Sequence, residues 1–410
     1  MIGPMEDTQP AQVSAGGGKD RTILLAGLIT YGIGQSLLYI IFAPLIREIG
    51  LPEWQIGVLI SASNVAILFS APLWGKASDG IGRRTVFVIG LLGYAAGYGG
   101  LAFGVQAGIW GMIVATPLFL ALLAARLVYG VFAGGVQPAA QAYIADTTDE
   151  SSRAQGMALV AASGGIGTII GPIFGGLLAE ISSLFPMYAA AALGLGSALW
   201  AQFGLVEPVK HASDGKREDM LKVFVRIFPY LLGWFVVFMV FTSIQIVATF
   251  FVSDHIGIDT TQGVIRVTST AFFCMAIVTV IMQVLVMQAW KMEPKLLLRS
   301  AFIIFGLVLL GMTQVESLLG LYLVFAGMGF AVSLAMPSLS AAASLSVGQQ
   351  EQGAAAGLLA AAPTFGMVFG PATGALMYEI NTLLPMQVGA AMTILTGIYF
   401  WFVRIPSAAK

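Results

Sequence analysis

Along the chain, apolar runs about as long as a membrane span alternate with short polar punctuation. The runs predict helices at Thr22–Ile46, Gln55–Trp74, Thr85–Val105, Leu118–Ile144, Ala154–Ser182 and Met187–Leu205. Six more fall at Phe228–Val252, Val267–Ala289, Leu297–Thr313, Leu318–Ala341, Gly353–Tyr378 and Met386–Val403. A helix needs roughly 20 apolar residues to cross a bilayer, so twelve crossings are expected. The stretch Gln106–Pro117 is the weakest part of the pattern.

One long charged segment interrupts it, EPVKHASDGKREDMLKVFVR, at the middle of the chain. It suggests an organisation of residues 22–206 as one six-helix bundle, 207–227 as a linker and 228–404 as a second bundle. Residues 1–21 are polar and glycine-rich and lack the basic start and apolar core of a signal peptide, so they are expected to be a disordered cytoplasmic tail, with 405–410 as a second tail.

An internal repeat supports two related halves. GIGTIIGPIFGGLLAEISSLFPM, ending at Met187, realigns with FGMVFGPATGALMYEINTLLPM, ending at Met386, at an offset of 199 residues. The same offset sets Gly130 and Pro138 on Gly329 and Pro337. The fifth and eleventh spans are therefore equivalents in parallel halves.

Composition agrees with lipid as the solvent. Of 410 residues, 58% are hydrophobic and 10% charged, against about 25% charged in soluble domains. A net charge of −1 gives no basic surface for nucleic acid. With the N-terminus cytoplasmic, 16 of the 19 basic residues fall inside, as the positive-inside rule requires. Arg47 and Arg266 fall outside, and Arg126 lies within the membrane. The expected location is a bacterial inner membrane with both termini cytoplasmic. Lone Cys274 reads as a small packed hydrophobe. Neither His211 nor His255 belongs to a catalytic or metal-binding pattern, so no enzyme, cofactor or metal is expected.

Three motifs carry a resemblance. GKASDGIGRR, Gly75 to Arg84, follows the second span; Gly75 and Gly82 permit a tight turn, while Asp79, Arg83 and Arg84 place opposite charges at the membrane surface. RLVYGVFAGGVQPAAQAYIAD runs from Arg126 to Asp146. A glycine run on the fifth span comprises Gly164, Gly167, Gly171, Pro172, Gly175 and Gly176. Together they resemble the major facilitator superfamily, within it the drug and metabolite efflux antiporters, over Thr22 to Val403.

The resemblance implies an all-α integral membrane fold of twelve helices in two pseudo-symmetric six-helix bundles, moving by rocker-switch alternating access. It implies a cytoplasmic latch in which Asp79 meets the start of the eleventh helix near Gly353 and Arg83 pairs with Asp146. Gly80 stands where the family usually has Arg. The glycine run reads as an interface on which the halves close.

Arg126 costs several kcal/mol in lipid unless it meets water, a carbonyl cluster or an anion. It is the leading substrate-site candidate, with Gln137 and Gln141 expected on nearly the same face. Tyr31, Gln35 and Tyr39 form a stripe on the first span, Asn64 adds an amide, and Trp234, Phe238, Gln245, Met328 and Met336 are candidates from the second half. Taken singly, each aromatic or Met is better explained by core or lipid-facing packing than by ligand contact. Glu180 and Glu379, equivalent in the repeat, are candidate outer-gate residues or solvated helix ends.

No acidic residue is expected in a span interior, so a proton carrier would be a boundary acid (Asp79, Asp146, Glu180 or Glu379) or the substrate itself. The expected activity is export of an amphipathic, anionic small molecule by a monomer in the bilayer, with proton coupling open. Uptake of a small organic anion is the alternative, and a transporter-like receptor a remote one.

Overall fold

The computed structural model describes residues 18–208, 220–288 and 294–405. Of the expected tails 1–21 and 405–410, residues 1–17 and 406–410 lie outside the described residues, as does 209–219 of the expected linker; residues 18–21, expected as disordered tail, instead begin the first helix. Thirteen α-helices are seen: α1 Gly18–Glu48, α2 Glu53–Ile81, α3 Arg83–Ile109, α4 Ala115–Ala133, α5 Val136–Thr147, α6 Glu150–Ala179, α7 Phe185–Gly204, α8 Met220–Asp254, α9 Thr261–Gln288, α10 Pro294–Met312, α11 Leu318–Leu345, α12 Gln352–Ile380 and α13 Leu384–Phe402. α4 and α5 are two pieces of one span, which makes twelve. Among the described residues, ten spans are long and apolar enough to cross a membrane. The other two, α7 and α13, have 20 and 19 residues. α8 starts at Met220, so part of the expected linker is helix.

The fourth span was expected unbroken. Its regular hydrogen bonding is interrupted at Gly134–Gly135, both still helical in backbone angle, where a Cβ on Gly134 would come within 2.2 Å of Ser70 Oγ and one on Gly135 would meet the Trp74 ring. Ser70 Oγ donates to Gly130 O (3.0 Å) and Trp74 Nε1 to Val131 O (2.6 Å). Side chains of α2 thus satisfy carbonyls at the break, which spares the membrane interior an orphaned backbone group.

α1–α7 and α8–α13 form two bundles with matching internal contacts: α1 on α6 as α8 on α12, α3 on α4 and α7 as α10 on α11 and α13. The bundles meet along α2 with α12, α6 with α9, and α1 with α8. The first two seams are equivalents under the repeat. Phe203 and Phe402 are 85% and 83% exposed on the outer surface, where only lipid makes such exposure tolerable. The chain is a multi-pass membrane protein. Its described ends, Gly18 and Ile405, share one face, called the terminal face below; the opposite is the far face.

Candidate transport site and gates

Arg126 sits on α4, 1% exposed, and among the described residues it is the charged side chain at mid-span. Its Nη2 donates to Ser63 Oγ of α2, and its Cζ lies 4.5 Å from the Tyr129 ring centroid. Nε and Nη1 make no hydrogen bond. Tyr94, Tyr98 and Tyr129 pack ring to ring beside it, with centroids 4.8 to 6.0 Å apart, and Tyr31 closes the group at 6.4 Å from Tyr94. A cation without a carboxylate is held here by ring faces and one hydroxyl, a partial compensation for lost hydration.

The stripe on α1 reaches this group through Tyr31, Gln35 and Tyr39. Gln137 lies just beyond Gly134–Gly135, half-buried, and its Nε2 faces Gly164 of α6. Gln141 is exposed. Gln35, half-buried, donates to Tyr31 OH (2.8 Å). The Tyr39 hydroxyl lies beside Asn64. Asn64 serves the seam between halves, its Nδ2 donating to Met367 O of α12 (2.7 Å).

In the second bundle Trp234 stacks on Phe238 (5.7 Å), which meets Phe241 edge-on (6.3 Å). The Trp234 Nε1 is buried without a partner. Met336 is half-buried, whereas Gln245 and Met328 are 7% and 1% exposed; Met328 offers no surface to a ligand in this state.

The loop after α2 ties one bundle together. Arg83 bonds Asp146 of α5 (2.9 Å), Asp79 (2.6 Å) and Ser78 Oγ (2.5 Å), and Arg84 donates to Leu205 O (3.2 Å). A Cβ on Gly75 would lie 3.6 Å from Pro138. Gly82, at φ 106°, makes the turn, and the Glu207 carboxylate caps α3 by accepting from Arg83 N. The Arg83–Asp146 pair is as expected. Added Cβ atoms at Gly353 and Gly357, in the first turns of α12, would meet nothing within 4 Å.

The glycine run needs a correction. A Cβ at Gly167 would lie 2.3 Å from Ile29 O, at Gly171 1.9 Å from Ser36 Oγ, and at Gly175 3.2 Å from Ile41. All three neighbours are on α1, in the same bundle. Only Gly176 of that run faces the other bundle, at 2.9 Å from Ser269. Gly164 faces α5, a Cβ at Gly165 would meet nothing, and Pro172 is internal to α6. The repeat explains why: Gly366, Gly370 and Gly374 of α12 press on Phe235, Thr242 and Ser243 of α8 in the same way. Each bundle thus carries one close glycine seam, which joins its own helices.

The halves meet closely toward the far face. A Cβ on Gly57 would lie 2.6 Å from Pro371 O, and Ser61 Oγ accepts from Ala372 N (3.1 Å). Glu379 accepts from Trp54 N (3.4 Å), and Glu180 stands 3.6 Å from Arg266 with both side chains more than half exposed. Both candidate gate acids therefore reach across to the other bundle. Sequence reasoning missed a stronger tie, Arg47 with Glu53 and Asp254, although Arg47 had been flagged as a cation on the wrong side. It also missed Ser63, Glu207, Gly57 and the tyrosines; Tyr94 and Tyr98, four apart, and Tyr129, three after Arg126, were the available signal.

Residues 24–290 match the sequence profile of the Major Facilitator Superfamily. The chain belongs to this superfamily. It is 28% identical to multidrug resistance protein 1 of Bacillus subtilis (strain 168) over 387 residues, 92% of this chain and 94% of the relative. A class C tetracycline resistance protein of Escherichia coli is 34% identical over 175 residues, covering 42% and 41%. Among solved structures, a bacterial homolog of the human lysosomal transporter Spinster, inward-facing and occupied, superposes with TM-score 0.72 at 16% identity, covering 93% and 95%. That likeness shows the fold. This superfamily member is a secondary transporter and not an enzyme.

Proposed function

We propose that the protein exports an amphipathic, anionic small molecule by rocker-switch alternating access, taking it up from the terminal face and releasing it at the far face. The observation that carries this reading is the asymmetry of closure. Gly57, Asn64, Ser61, Arg47 and Gly176 hold the bundles together toward the far face, and among the described residues the hydrogen bonds and ion pairs between the bundles lie on that side. The distribution of basic residues supports a cytoplasmic terminal face in a bacterial inner membrane, and the resistance proteins among the relatives support export. The protein acts as a monomer, each chain carrying both bundles.

Arg126 attracts the anionic end of the substrate once the tyrosines part, and the Trp234–Phe238 stack offers an aromatic surface for its apolar body. Every described Asp and Glu lies at a helix end or in a loop, so proton coupling, where present, runs through boundary acids or the substrate. The test uses purified protein in liposomes of known orientation, an imposed proton gradient, and matched anionic and cationic amphiphiles. Transport from the terminal-face side that prefers anions is expected, with that preference falling about tenfold, ~1.4 kcal/mol, in Arg126→Gln. An unchanged preference in the variant would overturn the anionic site, and accumulation in the opposite direction would establish uptake of a small organic anion instead.

A further inference from the structure

The far-face contacts differ greatly in quality. The Glu180–Arg266 approach is 3.6 Å between side chains 54% and 67% exposed, a geometry in which water and salt remove most of the attraction. Arg47 is different. Its Nη1 and Nη2 donate to the two oxygens of Asp254 at 2.7 and 2.9 Å, a parallel fork on one carboxylate. Its Nε and Nη2 donate to Glu53 Oε1 at 3.0 and 2.8 Å, and its Cζ lies 5.1 Å from the Phe250 ring centroid. The three charged side chains are 21% to 31% exposed.

Arg47 ends α1 and Glu53 begins α2, in the first bundle. Asp254 ends α8, in the second. Tyr378 of α12 donates to Asp254 Oδ2 at 2.8 Å, and the next residue, Glu379, reaches Trp54. One corner therefore gathers α1, α2, α8 and α12, two helices from each bundle. Beside it lies a cleft of about 250 Å³ between the bundles, lined by Arg47, Glu48, Phe250, Asp259 and Thr261, where Thr261 Oγ1 donates to Glu48 Oε2 at 2.9 Å.

We infer that the Arg47–Asp254 fork is the gate pair of the transport cycle, whose rupture opens the far face, with Glu53 and Tyr378 as its positioning residues. The two partners are not equal. On separation of the bundles Arg47 keeps Glu53, from its own bundle, as a counter-charge, while Asp254 keeps the hydroxyl of Tyr378. Glu53 therefore prevents Arg47 from collapsing elsewhere and holds it ready to recapture Asp254 on closing. Because the opened guanidinium retains a carboxylate, opening avoids a stranded cation, and the gate is strong in one state without trapping it. The inference does not depend on which compound is carried or in which direction.

The test measures far-face separation in full-length protein in nanodiscs, with Cys274→Ser as background and spin labels replacing Met112 and Glu316, which are exposed in far-face loops of the two bundles. Asp254→Asn and Arg47→Gln should each raise the ratio of long to short distances about tenfold, and the double variant should match either single one, as expected for residues acting as one unit. Tyr378→Phe should move the ratio in the same direction by less, and because it removes one hydroxyl it tests the gate even where a charge variant folds poorly. Glu53→Gln should keep the bundles closed. Independent, additive shifts for Arg47 and Asp254, no shift in Asp254→Asn and Tyr378→Phe, or opening by Glu53→Gln equal to that of Asp254→Asn would overturn the assignment.

Discussion

Replacing Gly167 by Ala tests the glycine seam most directly. The nearest atoms to the added methyl are Ile29 O at 2.3 Å, Gly32 Cα at 2.8 Å and Ile33 N at 2.9 Å. All belong to the α1 backbone, so no side chain can rotate away. Restoring ordinary contact requires α1 and α6 to separate by about 1 Å at this level, and a gap of that size forfeits a quarter to a half of the local dispersion energy. Overpacking of this kind costs about 1–3 kcal/mol, against which the better helix propensity of Ala returns about 1 kcal/mol. The net expectation is a loss of about 1 kcal/mol. Gly165→Ala, on the same helix in open space, receives the propensity gain without the clash. Thermal unfolding of the two variants in detergent, followed by tryptophan fluorescence, should place Gly167→Ala below wild type by about 2 °C and Gly165→Ala at or above it. Equal midpoints for the two would refute the close seam.

Other expectations concern the loop after α2 and its neighbours. Arg83→Gln strands the carboxylate of Asp146, whose side chain is 8% exposed, and should destabilise by about 3 kcal/mol; Asp79→Asn, at a side chain 63% exposed, should cost less than 1 kcal/mol, both read by the same unfolding assay. Glu207→Ala removes the cap on α3 and should cost about 1 kcal/mol, while Glu207→Gln, which keeps an accepting oxygen, should cost a few tenths. Gly82→Ala should exceed both, because its φ of 106° disfavours a side chain and its Cβ would lie 2.6 Å from the Glu207 carboxylate. In transport, Asp79→Asn should slow turnover more than it weakens binding, checked by comparing kcat and KM in proteoliposomes; a change in KM alone contradicts a role for this loop in the conformational cycle.

The sequence by itself determined the number of spans, the division into halves, the repeat and the pairing of Arg83 with Asp146. Each of these is local or additive. A residue's apolarity reports its transfer into lipid whatever its neighbours are, and the 199-residue offset can be read without knowing a single contact. The pairing of Arg83 was legible because the resemblance places its loop and Asp146 at one membrane surface.

Only the tertiary structure decided which helix meets which. Lipid tails and side chains are equally apolar, so no hydrophobic difference marks one face of a membrane helix for a given partner. The Gly167 to Gly175 groove could have received α9 as well as α1, and shape alone selected α1. Arg126 met Ser63 of α2 and a group of tyrosines drawn from three helices, a meeting that no spacing along the chain announces. Arg47 and Asp254 lie 207 positions apart. Nothing along the chain links them, and they meet because two bundles close on each other at the far face.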